Sequence, residues 1–196
     1  METVLVEKKN INEVVELLKQ DEVVAFPTET VFGLGVKFGN LSALEKIYEI
    51  KHRSHSKAVS LMIYDSQDIE KYAYVNTNAQ KLIDEFMPGM ITLVLKKKSI
   101  LSDDFTAGLE TIGIRIPDDP FVLELLKRVV TSANISGQET LLNDLDVYHE
   151  FNGKLKMIVK GKCQNTLAST VVKIDDDVTI LRQGCISEEK IMEVLK

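Results

Sequence analysis

Short apolar runs recur along this chain at residues 23–26, 60–64, 91–95, 111–116, 156–159, 170–174 and 178–181. They are too short for buried helices and rich in β-branched residues, so they read as strands. Between them apolar residues fall at helical spacing: Val14, Val15, Leu17 and Leu18 in residues 12–20, then Leu44, Ile47 and Tyr48 in a helix from about Leu41 to near Lys51. Two shorter helices are predicted at 67–72 and 78–86, and a further one near 143–150. Asp118-Asp119-Pro120 starts a helix through Phe121, Leu123, Leu125 and Leu126, and Ser187 caps a last one with Glu188 and Glu189 in its first turn. Strands and helices mix without strict alternation, which favours an α/β domain on a twisted, mostly mixed β-sheet with surrounding helices over a doubly wound nucleotide fold. With 44% hydrophobic and 28% charged residues a sizeable core is within reach, and no repeat or linker divides residues 1–196, so a single domain is expected.

Composition also narrows the function classes. No apolar stretch approaches a membrane span, and METVLVEKKN carries acid and no signal region, so a cytoplasmic protein without a membrane partner is expected. Cys163 and Cys185 read as two reduced thiols. The formal net charge of -6 disfavours tight, sequence-independent RNA binding, which rests on neutralising phosphates. The chain lacks a G-x-x-x-x-G-K-[ST] loop, and Gly33-Leu-Gly35 alone is a weak dinucleotide signal, so a nucleotide would bind without a P-loop.

Three polar islands stand out against this background: PTETVFGLG at 27–35, KHRSHSK at 51–57 and TSANISG at 131–137. A strand end can present Thr28, Glu29 and Thr30 with free backbone N–H groups, while Gly33 and Gly35 let the chain turn and a ligand approach closely. Lys51, Arg53 and Lys57 gather three cations at a helix end in an acidic protein, which suits a compact polyanion. On spacing alone, a solvated helix end would be the better reading. Ser132 and Asn134 equally suit a capping or Asx-type turn. Alternation puts Thr111, Gly113 and Arg115 on one side of their strand. His52 and His55, three apart and without a carboxylate nearby in sequence, are weak metal ligands; His149 is expected to be exposed, and no residue is assigned to a metal.

Taken in order, Pro27 to Leu34, Lys51/Arg53, Thr111/Arg115, Ser132/Asn134, Ser169 to Val172 and Arg182/Gly184 resemble the motif series of the YrdC-like family of L-threonylcarbamoyladenylate synthases. The resemblance spans roughly the whole chain, and six ordered motifs are far more specific than one. It implies a YrdC/RibB-like fold and a reaction joining L-threonine, bicarbonate and ATP into threonylcarbamoyl-AMP with release of pyrophosphate. By the same resemblance Lys51 and Arg53 would be catalytic. Arg53, Lys57, Thr111, Ser132, Asn134 and Arg182 would hold ATP, and Thr30, Arg115 and Ser169 would hold L-threonine. Mg2+ would be carried mainly by ATP oxygens. The product would pass to tRNA threonylcarbamoyl transferase proteins, with weak RNA binding a further possibility for the fold. Other readings of the resemblance are a structured-RNA binding module, a carbamoyl-adenylating relative that does not use threonine, and a paralogue that kept the fold without the activity.

The sequence departs from the family pattern at Ser54, where proline is common after Lys-x-Arg, and at Met90 in place of the second proline of Pro-Gly-Pro. Met62 stands where some members place a histidine, and residues 159–162 replace Asp-Gly-Gly with two added lysines. The chain is expected to be the short form without an added C-terminal domain.

Overall fold

The structure is a computed structural model that describes residues 2–129, 132–135 and 141–196, with the backbone alone described for 132–135. In chain order its elements are β1 (Val4–Val6), α1 (Ile11–Lys19), β2 (Val24–Phe26), β3 (Gly33–Lys37), α2 (Leu41–Ile50), β4 (Ser60–Met62), α3 (Ile69–Tyr72), α4 (Thr77–Phe86) and β5 (Ile91–Lys96). There follow α5 (Asp103–Thr106), β6 (Thr111–Arg115), α6 (Pro120–Arg128), β7 (Ser132–Ile135), α7 (Asp144–Phe151), β8 (Met157–Val159), β9 (Thr170–Ile174), β10 (Val178–Arg182) and α8 (Glu188–Leu195).

The strands form one sheet in the order β1-β8-β2-β3-β7-β4-β6-β5-β9-β10. The β1–β8, β8–β2, β4–β6 and β5–β9 pairs are parallel and the remaining pairs antiparallel, which makes the sheet mixed as expected. Helix starts follow local chemistry: Asn40, Asn76, Asp119, Asn143 and Ser187 each accept a backbone N–H of their helix's first turn, and Pro120 opens α6 where no N–H is needed. The apolar faces of α1 and α6 cover β2 and Val159 of β8 with Val14, Leu18, Phe121 and Leu125. A second core joins α4 and α8 to β5, β6 and β9, and a third joins α2 and α7 to β2 and β3.

Parts of two polar islands turn out to lie in strands. Gly33-Leu-Gly35, read as a turn, lies in β3 between β2 and β7, and Gly35 is required by contact: a Cβ there would sit 2.6 Å from Cε1 of the buried Phe26 ring. Ser132 and Asn134, read as a turn, lie in β7, where Asn134 is in register with Gly35 on one side and Ser60 on the other. Pairing on both edges satisfies the backbone there, and so overrides the Asx-turn preference of the sequence. The short β1 was not anticipated either.

Candidate active site

Gly113 sits in the middle of a straight row across the sheet. Ser60 in β4, Gly113 in β6, Val94 in β5 and Lys173 in β9 are consecutive register partners, and all line one cleft of about 350 Å³. Register partners on adjacent strands share a face, so this row is the floor of the cleft. Asn134 continues the row in register beyond Ser60. Thr111, two residues before Gly113, also lines the cleft, and Val59, Leu109, Val171 and Leu181 supply apolar wall. The cationic rim comes from Arg53, Lys57, Lys173 and Arg182, and among the described residues no carboxylate lines this cleft. Apolar wall and cationic rim together suit a ligand with a flat ring and a polyanionic tail.

The loop that carries Arg53 is built by the end of α2. Lys51 is the C-cap, His52 takes a left-handed backbone (φ 46°), His52 N–H donates to Glu49 O, and Arg53 N–H donates to Tyr48 O. This pair of bonds is the Schellman arrangement, with histidine tolerated at a position that usually favours glycine. Arg53 then folds back: Nε donates to Lys57 O at 3.2 Å and Nη2 to Ala58 O at 3.0 Å, while Tyr48 Oη donates to Lys57 O at 3.1 Å. Its fork therefore shapes the cationic loop as well as facing the cleft. His55, read without a carboxylate near in sequence, stacks on Tyr48 and meets Glu45 at 2.8 Å, which fastens the loop from behind. Lys51 is not among the cleft-lining residues. Burial, and secondarily Arg53, hold its ammonium below the usual lysine range, so an anion brought close would find it responsive.

Beside the cleft lies a second, deeply buried polar cluster. Arg115, at the end of β6, donates from Nη2 to Glu29 Oε1 at 2.6 Å and to Thr30 Oγ1 at 2.8 Å. The N–H group of Thr30, expected to be free, is instead taken by Thr28 Oγ1 at 3.1 Å, and the N–H of Val31 is taken by the same oxygen at 3.2 Å. Thr28 thus rigidifies the loop that carries Glu29 and Thr30. Burial pushes the Cys163 thiol up to about 11, which leaves it inert as a nucleophile at neutral pH. Met62, at the position where a histidine contact was considered, is packed in the core with Phe26 and Phe121.

Ser169 and Arg182 link the two regions. Arg182 Nη2 donates to Ser169 O at 2.8 Å and to Ser169 Oγ at 3.3 Å, and Ser169 Oγ meets Thr92 Oγ1 at 2.9 Å. Burial first, then the Arg115 and Arg53 charges, push the Arg182 guanidinium down from its ordinary value. Arg115 and Arg53 thus both repel Arg182, and an anion between them relieves that repulsion. Gly184 explains the Arg-x-Gly spacing, because a Cβ there would lie 2.3 Å from Ala168 O and 2.5 Å from Thr170 N. Backbone, not a movable side chain, would have to give. Gly184→Ala is expected to cost about 1–3 kcal/mol, measured by urea unfolding, by displacing Ser169 from Arg182.

Of the residues singled out in the sequence, Arg53, Lys57, Thr111 and Arg182 meet in the cleft, Thr30 joins Arg115, and Ser169 bridges to Arg182. The side chains of Ser132 and Asn134 lie outside the described residues. Glu29 was named only as a loop residue. Its burial against Arg115, 86 positions away, gives no local signal.

The family model described as telomere recombination (Sua5/YciO/YrdC) matches residues 16–184. The chain belongs to the Sua5/YciO/YrdC family. A Methanocaldococcus jannaschii relative in this family is 39% identical over 186 residues, covering 91% of this chain and 89% of its own. The threonylcarbamoyl-AMP synthase of Bacillus subtilis is also 39% identical, covering 91% of this chain but 54% of its own length, so the chain spans about half of that protein. The crystal structure of Pyrococcus abyssi Sua5 complexed with L-threonine superposes with a TM-score of 0.93 at 28% identity, over 98% of this chain and 61% of that one. The Sua5/YciO/YrdC fold is thus the mixed-sheet α/β domain described above.

Proposed function

We propose that this chain is a threonylcarbamoyl-AMP synthase that makes L-threonylcarbamoyladenylate and pyrophosphate from L-threonine, bicarbonate and ATP. The observation that carries the reading is the adjacency of the two regions: a cationic cleft for a nucleotide beside a buried Arg115 with Glu29 and Thr30 for an amino acid. The name of the Bacillus subtilis relative and the L-threonine in the Pyrococcus abyssi complex support it.

In this reading the threonine amine attacks bicarbonate to give N-carboxythreonine and water, and the new carboxylate oxygen then attacks the α-phosphorus of ATP. Nucleophile and electrophile are both anionic, so the protein's main task is to offset charge. Arg53, Lys57 and Arg182 meet the phosphate oxygens, with Lys51 assisting from the end of α2. Arg115 takes the threonine carboxylate, and Thr30 and Ser169 take its polar groups. A rim of Arg53, Lys57, Lys173 and Arg182 suits polyphosphate, and Mg2+ would enter on ATP. The product would pass to tRNA-modifying transferase proteins in the cytoplasm.

The test is pyrophosphate release from ATP and bicarbonate with L-threonine, with L-serine and without an amino acid. Release that depends on L-threonine supports the reading. Stoichiometric ATP binding without amino-acid-dependent release contradicts it. The serine comparison reads how the site treats the threonine methyl group, which is worth about 1–3 kcal/mol of discrimination.

A further inference from the structure

Glu29 sits in the loop between β2 and β3, where a carboxylate would ordinarily face water, yet its side chain is only 6% exposed and that of Arg115 only 4%. Glu29 Oε1 receives Arg115 Nη2, but Oε2 of Glu29 and Nε of Arg115 have no protein partner among the described residues. A buried ion pair kept for stability alone would have its remaining lone pairs and protons satisfied, because each unmade bond to a charged group is costly. This pair instead leaves one strong acceptor and one strong donor unused side by side. An α-amino acid offers the complement, an amine and a carboxylate on one carbon.

We infer that Glu29 is the specificity-determining residue for the α-amino group, its Oε2 accepting a hydrogen bond from the amine while Arg115 engages the carboxylate. This rests on the amino-acid substrate proposed above and deepens it. The carboxylate is held for the task. Asn165 Nδ2 donates to the Glu29 carbonyl at 2.7 Å, Thr30 Oγ1 accepts from the same Arg115 nitrogen as Glu29, and Thr28 ties Thr30 in place. Rigid placement of donor and acceptor lowers the ordering cost on binding and aligns the amine for its attack on bicarbonate. It also selects against acids with no donor on the α-carbon, which would leave Oε2 unpaired.

The test is calorimetric titration with L-threonine and with 3-hydroxybutyrate, which keeps carboxylate, hydroxyl and methyl but carries hydrogen in place of the amine. Wild-type protein is expected to prefer L-threonine by about 10- to 100-fold, the range of a charge-assisted hydrogen bond. Glu29→Gln keeps an oxygen for Arg115 but removes the charge, so it should lose about tenfold or more for L-threonine and change little for 3-hydroxybutyrate. An equal fall for both ligands would show that Glu29 serves only to position Arg115, and would overturn the inference. Equal affinity of wild-type protein for both ligands would overturn it without recourse to any variant. If wild-type protein binds neither, the amino-acid reading fails first and this inference with it.

Discussion

Arg115→Met is expected to abolish threonine-dependent pyrophosphate release and to lower stability by about 3–5 kcal/mol, the largest double effect of any single substitution considered. Arg115 is 3% exposed and carries the only positive charge that the structure bonds directly to Glu29 among the described residues. Its removal strands an ionised carboxylate in a place without water, and Thr30 Oγ1 loses a donor at the same time. The stability loss is read from urea unfolding. A double variant, Arg115→Met with Glu29→Gln, is expected to regain most of the lost stability, because no buried charge remains, while recovering no activity. Recovery of activity in the double variant would show that Arg115 serves the fold and not the substrate.

Arg53→Ala is expected to reduce pyrophosphate release by about 100- to 1,000-fold, the scale of removing one donor aimed at developing charge. L-threonine binding should survive, because among the described residues the Arg53 guanidinium bonds the carbonyls of Lys57 and Ala58, whereas Arg115 bonds Glu29 and Thr30. Arg53→Lys is expected to restore little, since a single ammonium cannot span the carbonyls of Lys57 and Ala58 and still face a phosphate. Steady-state kinetics in ATP and calorimetry with L-threonine separate the two effects. A parallel fall in both would mean that Arg53 shapes the whole pocket.

The sequence carried more of the site's membership than of its construction. β9 was read with its observed bounds, and α2 ends within a residue of the predicted position, because β-branched runs and helical spacing are local signals. Gly33 to Lys37 and Ser132 to Ile135 were missed as strands because glycine, serine and asparagine have poor strand preference on their own. They are strands because partners on both edges pair with them, and one of those partners, β4, lies some 70 residues from β7 in the chain. Cationic Arg53, Lys57 and Arg182 were visible from motif position, whereas the floor row from Ser60 to Lys173 is a property of register and appears only in the folded sheet. Glu29 belongs to the same class. A polar loop residue reads as exposed until the sheet brings Arg115 beneath it.

The most direct test of the central claim is to incubate the protein with ATP, L-threonine and carbon-13-labelled bicarbonate and to examine the products by mass spectrometry. The account predicts threonylcarbamoyl-AMP carrying one labelled carbon, formed in step with pyrophosphate and lost in Arg115→Met. Unlabelled adenylate, or no adenylate from protein that binds both ATP and L-threonine, would contradict it.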